Sequence, residues 1–244
     1  MHSGDALVLL VAGIAAGVIN TLAGAGSLLT VPALVLLGMP GSLANGTNRV
    51  GVLVHNLVAS WRFHAEGFSG IRHALPLLIP VVVGSLLGAY AISLVPSRTF
   101  EQLFAALTFL LVVPLLRPPR IREAGSSWPG WLRATVFFGV GLFGGAFQAG
   151  VGLLLIAALA HAGHDLLRAN SIKVVINAVL TAAALVIFLL RGQVAWAPGL
   201  VLAFGYAIGA VTGVRIAVLG GEGVVRAFIA ASVVGLATKM LGWW

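Results

Sequence analysis

Apolar residues fill this chain in long runs, and the runs recur in the same order. They extend over residues 6–22, 28–37, 44–61, 74–94 and 100–116, then 131–147, 153–162, 169–190, 198–219 and 224–243. A helix of about 20 apolar residues crosses a bilayer. The pattern therefore predicts an all-α polytopic membrane protein built from two sets of five segments, eight to ten in total. The second run of each set is too short to span. Before each short run the helical pattern breaks at glycines, at Leu22-Ala23-Gly24-Ala25-Gly26 and again at Gln148-Ala149-Gly150-Val151-Gly152. Broken backbone inside a membrane survives only where protein buries it or where it lines a cavity. A matched pair of glycine-interrupted segments is the strongest sequence pointer to a transporter's binding site.

The two sets align. An offset of 126 residues carries Gly13 onto Gly139, Gly24 onto Gly150 and Gly26 onto Gly152. An offset of 125 carries Asn45 onto Asn170, Gly67 onto Gly192, Gly84 onto Gly209 and Gly88 onto Gly213, and one of 128 carries Arg98 onto Arg226. We expect a first transmembrane repeat over residues 1–117, a cytoplasmic linker over 118–130 and a second repeat over 131–244. If each broken pair adds two crossings, each half has five and the halves are inverted. If each pair folds back with one net crossing, each half has four and the halves are parallel. The distribution of arginines between loops leans towards inversion.

Composition narrows the class. Of 244 residues, 60% are hydrophobic and only 8% are charged, against about a quarter charged in soluble domains. The net charge of +8 sits mostly in short loops, as the positive-inside rule predicts, so it carries no implication of nucleic-acid binding. The chain has no cysteine, which excludes disulfides and thiolate chemistry. The first segment lacks a basic leader and reads as a retained membrane helix. Trp61, Trp128, Trp131, Trp196, Trp243 and Trp244 fit interfacial anchoring. Pro32 and Pro114 are expected to kink or end their helices. The six acids, Asp5, Glu66, Glu101, Glu123, Asp165 and Glu222, fall at segment ends or in loops. A carboxylate relay for protons or cations is therefore not expected, and the pattern suits an anion.

The polar residues inside the apolar segments carry the functional reading. Asn45, Asn48 and His55 share one helical face, and so do Asn170, Lys173, Asn177 and Thr181. Amides and an ammonium on one stripe are donors for an anion, and an intramembrane lysine marks a functional site by default. The competing reading makes the amides interhelical hydrogen-bonding groups worth about 0.6 kcal/mol each, and lets Lys173 snorkel to the interface. Asn20, Thr21, Ser27 and Gln148 flank the breaks, and the new helix after each break presents N–H groups and a positive dipole end. The expected substrate-binding set is Asn20, Thr21, Gly24, Gly26, Ser27, Asn45, Thr47, Asn48, Gln148, Gly150, Gly152, Asn170, Lys173 and Asn177. His55 is either proton-linked or a hydrogen-bonded structural residue. Gly84, Gly88, Gly209 and Gly213 read as helix-packing positions. His161, His164 and Asp165 cluster near a short loop, but they read as solvated residues and no metal site is expected.

The run Asn20-Thr21-Leu22-Ala23-Gly24-Ala25-Gly26-Ser27-Leu28-Leu29-Thr30-Val31-Pro32, followed by Ala44-Asn45-Gly46-Thr47-Asn48-Arg49, resembles the TauE/SafE sulfite-exporter family. Gly144-Gly145-Ala146-Phe147-Gln148-Ala149-Gly150-Val151-Gly152, followed by Leu167-Arg168-Ala169-Asn170, is similar to that family's second repeat. The glycine motif Gly24-Ala25-Gly26-Ser27 is less glycine-rich than in many relatives. The resemblance implies membrane transport of sulfite, organosulfonates or related sulfur-containing or carboxylated anions, by either export or uptake.

The expected protein is thus an anion transporter of the inner (cell) membrane. Its partners are a small anionic substrate and the lipid bilayer, with no nucleic acid and no cofactor, and the oligomeric state is open. An anion channel is the alternative. An intramembrane enzyme with Ser27 or Ser171 as nucleophile and His55 as base lacks an orienting carboxylate in the membrane.

Overall fold

The computed structural model describes the backbone of residues 3–115 and 128–240, with side chains up to 108 and from 128 to 220. Most of the expected linker, 118–127, lies outside the described residues, as do Trp243 and Trp244. The helices are α1 (Ser3–Leu22), α2 (Ser27–Leu36), α3 (Gly41–Ala65), α4 (Ile71–Ala74), a 3₁₀ turn (Leu75–Leu77), α5 (Leu78–Ser93), α6 (Ser97–Leu115), α7 (Gly130–Phe147), α8 (Val151–His161), α9 (Leu166–Leu190) and α10 (Trp196–Met240). Among the described residues, five helical stretches are long and apolar enough to cross a membrane: Ser3–Leu22, Ile71–Ser93, Gly130–Phe147, Leu166–Leu190 and Trp196–Gly220. The chain is a multi-pass all-α membrane protein.

Helix α3 is as long as these, but Asn45, Asn48, Arg49, His55 and Asn56 dilute its apolar content. All five are buried inside the bundle, which is where polar residues of a membrane helix are tolerated. Both α3 and α9 end against a glycine held in the left-handed region, Gly67 (φ 86°) and Gly192 (φ 65°), the usual stop for a helix. The start of α9 is capped by Asp165, whose carboxylate accepts the Arg168 N–H at 2.8 Å. Pro32 lies inside α2 without ending it.

The close approaches of backbone give the helix directions. On α1, Gly13 meets Leu202 and Gly205, Gly17 meets Gly209, and Thr21 meets Gly213, so α1 and α10 run the same way. Gly51 against Tyr206, with Gly199 against Val50, sets α3 alongside α10. In the other set, Gly141 meets Val81 and Gly145 meets Ser85, so α5 and α7 are parallel. Gly84 and Gly88 lie against the backbone of Phe138 and Leu142. The Ser85 hydroxyl donates to the Leu180 carbonyl at 2.7 Å, and Gly70 meets Ser171, which aligns α5 with α9. Helices α3 and α9 cross in opposite directions, with Gly46 near Phe188 and Asn56 near Asn177. Thus α1, α3 and α10 run one way, and α5, α7 and α9 the other.

The short helices double back. Gly26 returns to the level of Ala16 and Asn20, and Val31 and Leu34 of α2 share a buried apolar cluster with Leu9 of α1. In the second half, Val151, Leu155 and Leu159 of α8 pack with Phe137 and Val140 of α7. At the end of α8, His161 stacks on Trp128, which precedes α7, with ring centres 4.9 Å apart. Each short helix therefore forms a re-entrant hairpin with the helix before it. Ten or eleven residues reach about 15 Å, half the hydrocarbon thickness.

One boundary differs from the sequence reading. The apolar runs suggest a break between residues 219 and 224, yet α10 is helical without interruption from Trp196 to Met240. Gly220, Gly221 and Gly223 keep their backbone N–H groups, so nothing there removes a helical hydrogen bond as proline would. Trp61, Trp131 and Trp196 stand exposed towards helix ends, as an interfacial belt requires.

Candidate functional site

The two hairpins meet tip to tip. Gly24 sits in the left-handed region (φ 72°), as does Gly150 (φ 73°). An added Cβ on Gly24 would stand 2.5 Å from the backbone of Gly152. Only two residues without side chains permit that approach. Gln148, beside the second tip, holds φ 60° and ψ −33°, a region that costs an L residue about 1–3 kcal/mol. Neither α2 nor α8 has a side-chain cap on its N-terminus.

Three polar clusters surround this contact. The first joins α2, α3 and α10. Thr30 Oγ1 donates to Asn48 Oδ1 at 2.6 Å, Asn48 Nδ2 donates to Ser27 Oγ at 2.9 Å, and the Tyr206 hydroxyl lies 3.0 Å from Thr30 Oγ1.

The second joins α3, the α7–α8 tip and α9. The Arg49 guanidinium donates to the carbonyls of Gly144 (3.2 Å) and Gly145 (2.6 Å) and to Gln148 Oε1 (3.1 Å). It also stacks on Phe188 at 4.6 Å. Asn45 Nδ2 donates to the Ala146 carbonyl at 2.8 Å. Gln148 Nε2 donates to Asn177 Oδ1 at 3.0 Å, and Asn177 Nδ2 reaches Asn56 Oδ1 at 3.5 Å.

The third joins α9 to the end of α1. Lys173 Nζ donates to the carbonyls of Asn20 (2.9 Å) and Thr21 (2.8 Å) and to Asn170 Oδ1 (2.6 Å). All three ammonium protons thus have protein acceptors, and the lysine points into the bundle rather than snorkelling to an interface.

Nearly every expected residue comes together here: Asn20, Thr21, Gly24, Gly26, Ser27, Asn45, Asn48, Gln148, Gly150, Gly152, Asn170, Lys173 and Asn177 are all buried. Thr47 stands apart. Its hydroxyl accepts the Ala195 N–H at 2.9 Å and ties α3 to the loop before α10. His55 is buried beside the Tyr206 ring, 5.7 Å between centres, and neither ring nitrogen has a partner. Buried and unpartnered as well are Asn20 Nδ2, Asn170 Nδ2, Asn45 Oδ1 and Arg49 Nε.

Arg49 and Tyr206 are the members that the polar-stripe reasoning misses. Arg49 is 0% exposed and Lys173 1%. The rule that singles out Lys173, a charge inside an apolar helix, applies equally to Arg49. None of the partners that the structure gives either cation is a carboxylate. A buried charge without a counter-ion is costly. Here helix-end carbonyls, the negative end of the dipole, hold it. An entering anion would complete the neutralisation.

At the end of the bundle where α9 begins, His73 and His164 lie edge to face at 5.4 Å. Burial holds the His164 imidazole below its ordinary range, with His73 and Arg168 adding to the effect and Asp165 opposing it. Among the described residues, no group of three or more His, Cys, Asp or Glu is placed to hold a metal.

Comparison with known proteins adds a relationship. The family model described as "Sulfite exporter TauE/SafE" matches residues 9–240. The chain is 28% identical to a "Probable membrane transporter protein" of Haemophilus influenzae, over 97% of this chain and 96% of that one. It is 28% identical to "Probable membrane transporter protein ORF9" of Sinorhizobium sp, over 96% and 91%. It is 27% identical to "Probable membrane transporter protein YfcA" of Escherichia coli K12, over 93% and 86%. No solved structure matches the chain.

Proposed function

The chain belongs to the TauE/SafE sulfite exporter family and is a membrane transporter; from that premise we propose that it carries small anions through one site where its two hairpins meet. The substrates are sulfite, organosulfonates or related carboxylated anions. The observation that carries this reading is the pair of buried cations, Arg49 and Lys173, held without a carboxylate beside two broken helices. Asn48, Ser27, Gln148, Asn170 and Asn177 supply neutral donors around them, and neutral donors bind an anion without trapping it.

The halves, 1–117 and 131–244 joined by 118–130, act as inverted repeats: α3 runs the same way as α1, and α9 the same way as α7, so each hairpin folds back with no net crossing rather than one, and each half crosses an odd number of times. The opposed directions of α1 and α7, of α3 and α9, and of α5 and α10 support this. Arg62, Arg72, Arg133 and Arg168 gather at the end of the bundle where α3 finishes and α9 starts. Arg98 and Arg191 lie at the other end. The positive-inside rule makes the richer end cytoplasmic. Every group at the hairpin junction is buried, as in an occluded state between two access routes.

A thermal-shift screen of the purified protein against sulfite, sulfonates and 2-oxoacids, with chloride as control, tests the reading. Saturable stabilisation by one of these anion classes and none by chloride is expected. No stabilisation by any of them would overturn it.

A further inference from the structure

We propose that Arg49 is a second anion-binding residue, the counterpart of Lys173 in the other half, and that an anion crosses the closed core between these two stations. The proposal rests on the anion-transport reading above. Three observations carry it.

The first is position. Arg49 is the ninth residue of α3 (49 − 41 + 1) and Lys173 the eighth of α9 (173 − 166 + 1). Because α3 and α9 run in opposite directions, these matching places fall on opposite sides of the bundle's middle. Counted along the helices at about 1.5 Å per residue, their backbones stand on the order of 15 Å apart.

The second is exchange. Arg49, from the first half, holds the C-terminal carbonyls of α7 in the second half. Lys173, from the second half, holds the C-terminal carbonyls of α1 in the first. Each cation thus closes the long helix of the opposite hairpin, next to the left-handed glycine at which that hairpin turns. An anion and a helix C-terminus compete for the same charge. Binding at either station would release a hairpin from the cation that closes it.

The third is unspent capacity. Arg49 Nε is buried without a partner, and so are Asn170 Nδ2 and Asn20 Nδ2 beside Lys173. Between the stations, Gln148 and Asn177 form a bridge, with Gln148 bonded to Arg49 and Asn177 one helical turn from Lys173. The guanidinium fork matches two oxygens of one anion, whereas the ammonium acts as a point charge. The ligand class is therefore an oxyanion with its charge spread over paired oxygens, as in sulfite, sulfonates and carboxylates, rather than a halide.

The test uses the purified full chain and its thermal stabilisation by sulfite, titrated to half-effect, in wild type, Arg49→Gln, Arg49→Lys and the surface control Arg98→Gln. For Arg49→Gln the half-effect concentration should rise at least tenfold. For Arg49→Lys, which keeps the charge and loses the fork, it should rise about three- to tenfold, and this variant serves if Arg49→Gln does not fold. Arg98→Gln should match wild type. A lower melting temperature without anion, but an unchanged half-effect concentration in the Arg49 variants, would make Arg49 a structural helix cap only and overturn the proposal while leaving the anion reading intact. A wild type that sulfite does not stabilise moves the same titration to the sulfonate or 2-oxoacid that does, and a wild type that none of these anions stabilises would overturn both.

Discussion

Gly24 and Gly152 touch backbone to backbone across the middle of the molecule: a Cβ on Gly24 would come within 2.5 Å of the Gly152 Cα and carbonyl carbon. This one contact joins the hairpins of the two halves. Ser27 and Gln148, and the Lys173 acceptors Asn20 and Thr21, all lie within a few residues of this contact. Other glycines make comparable approaches, such as Gly84 of α5 against α7 and Gly209 of α10 against α1, but those lie along pairs of continuous helices rather than at a break.

The contact makes a graded prediction. Gly152 has ordinary helical backbone, so Gly152→Ala tests crowding alone, and overpacking typically costs about 1–3 kcal/mol. Gly24→Ala adds the cost of a left-handed residue, about 1–2 kcal/mol more. Gly38→Ala, also left-handed (φ 88°) but with nothing within 4 Å, should lose only that second part and keep transport. Melting temperatures and transport rates of the three variants check the order. Equal behaviour of all three would mean that the tip-to-tip contact is unimportant.

Asn48 accepts from Thr30 and donates to Ser27. Asn48→Ala would leave two buried hydroxyls poorly satisfied, at a cost of about 1–3 kcal/mol, and should weaken anion binding as well. Thr47→Val should lose the Ala195 bond and some stability but leave the binding constant unchanged, because Thr47 lies away from the hairpin tips. Titrating the thermal shift in each variant separates them. An unchanged half-effect concentration in folded Asn48→Ala would remove Asn48 from the site.

Because the chain has no cysteine, single cysteines report orientation directly. Cysteine at Arg72 or Arg168 should be protected from an impermeant thiol reagent in intact cells, and cysteine at Arg98 or Arg191 should react. All four positions are exposed in the structure. Labelling of Arg98→Cys and Arg168→Cys from the same face would contradict the opposed helix directions.

Much of this architecture was legible in the chain. The apolar runs locate nearly every helix to within a few residues, because a bilayer forces long uninterrupted hydrophobic segments. The glycine breaks mark the junction, because little else tolerates disrupted backbone there. What the pattern could not carry was the third dimension. Apolar content at 28–37 does not say whether α2 continues across or turns back, and the return of Gly26 to Ala16 and Asn20 decides it. The offset that carries Gly13 onto Gly139 is misleading, since Gly139 has nothing within 4 Å and Gly141 and Gly145 make the α7 packing contacts. Arg49 lies inside the apolar run 44–61, where the rule that singles out Lys173 applies equally, and its bonds to the Gly144 and Gly145 carbonyls show it turned into the bundle. The offset of 125 that carries Asn45 onto Asn170 carries Asn48 onto Lys173, yet the cation that bonds the end of the opposite hairpin's long helix, as Lys173 does, is Arg49, one residue along.

Flux of a permanently ionised sulfonate in proteoliposomes, under an imposed membrane potential and, separately, under an imposed pH gradient, separates electrogenic anion transport from proton-coupled movement. A potential of 100 mV acts on one charge with about 2.3 kcal/mol, enough for a roughly 50-fold gradient at about 1.4 kcal/mol per tenfold. Among the described residues the buried charges at the site are cations with no carboxylate partner, so movement should be electrogenic. Flux should follow the potential, reverse with its sign and respond little to the pH gradient. Flux that ignores the potential and tracks the pH gradient would rule out electrogenic anion transport and turn attention to His55, whose two ring nitrogens lie buried and unpartnered.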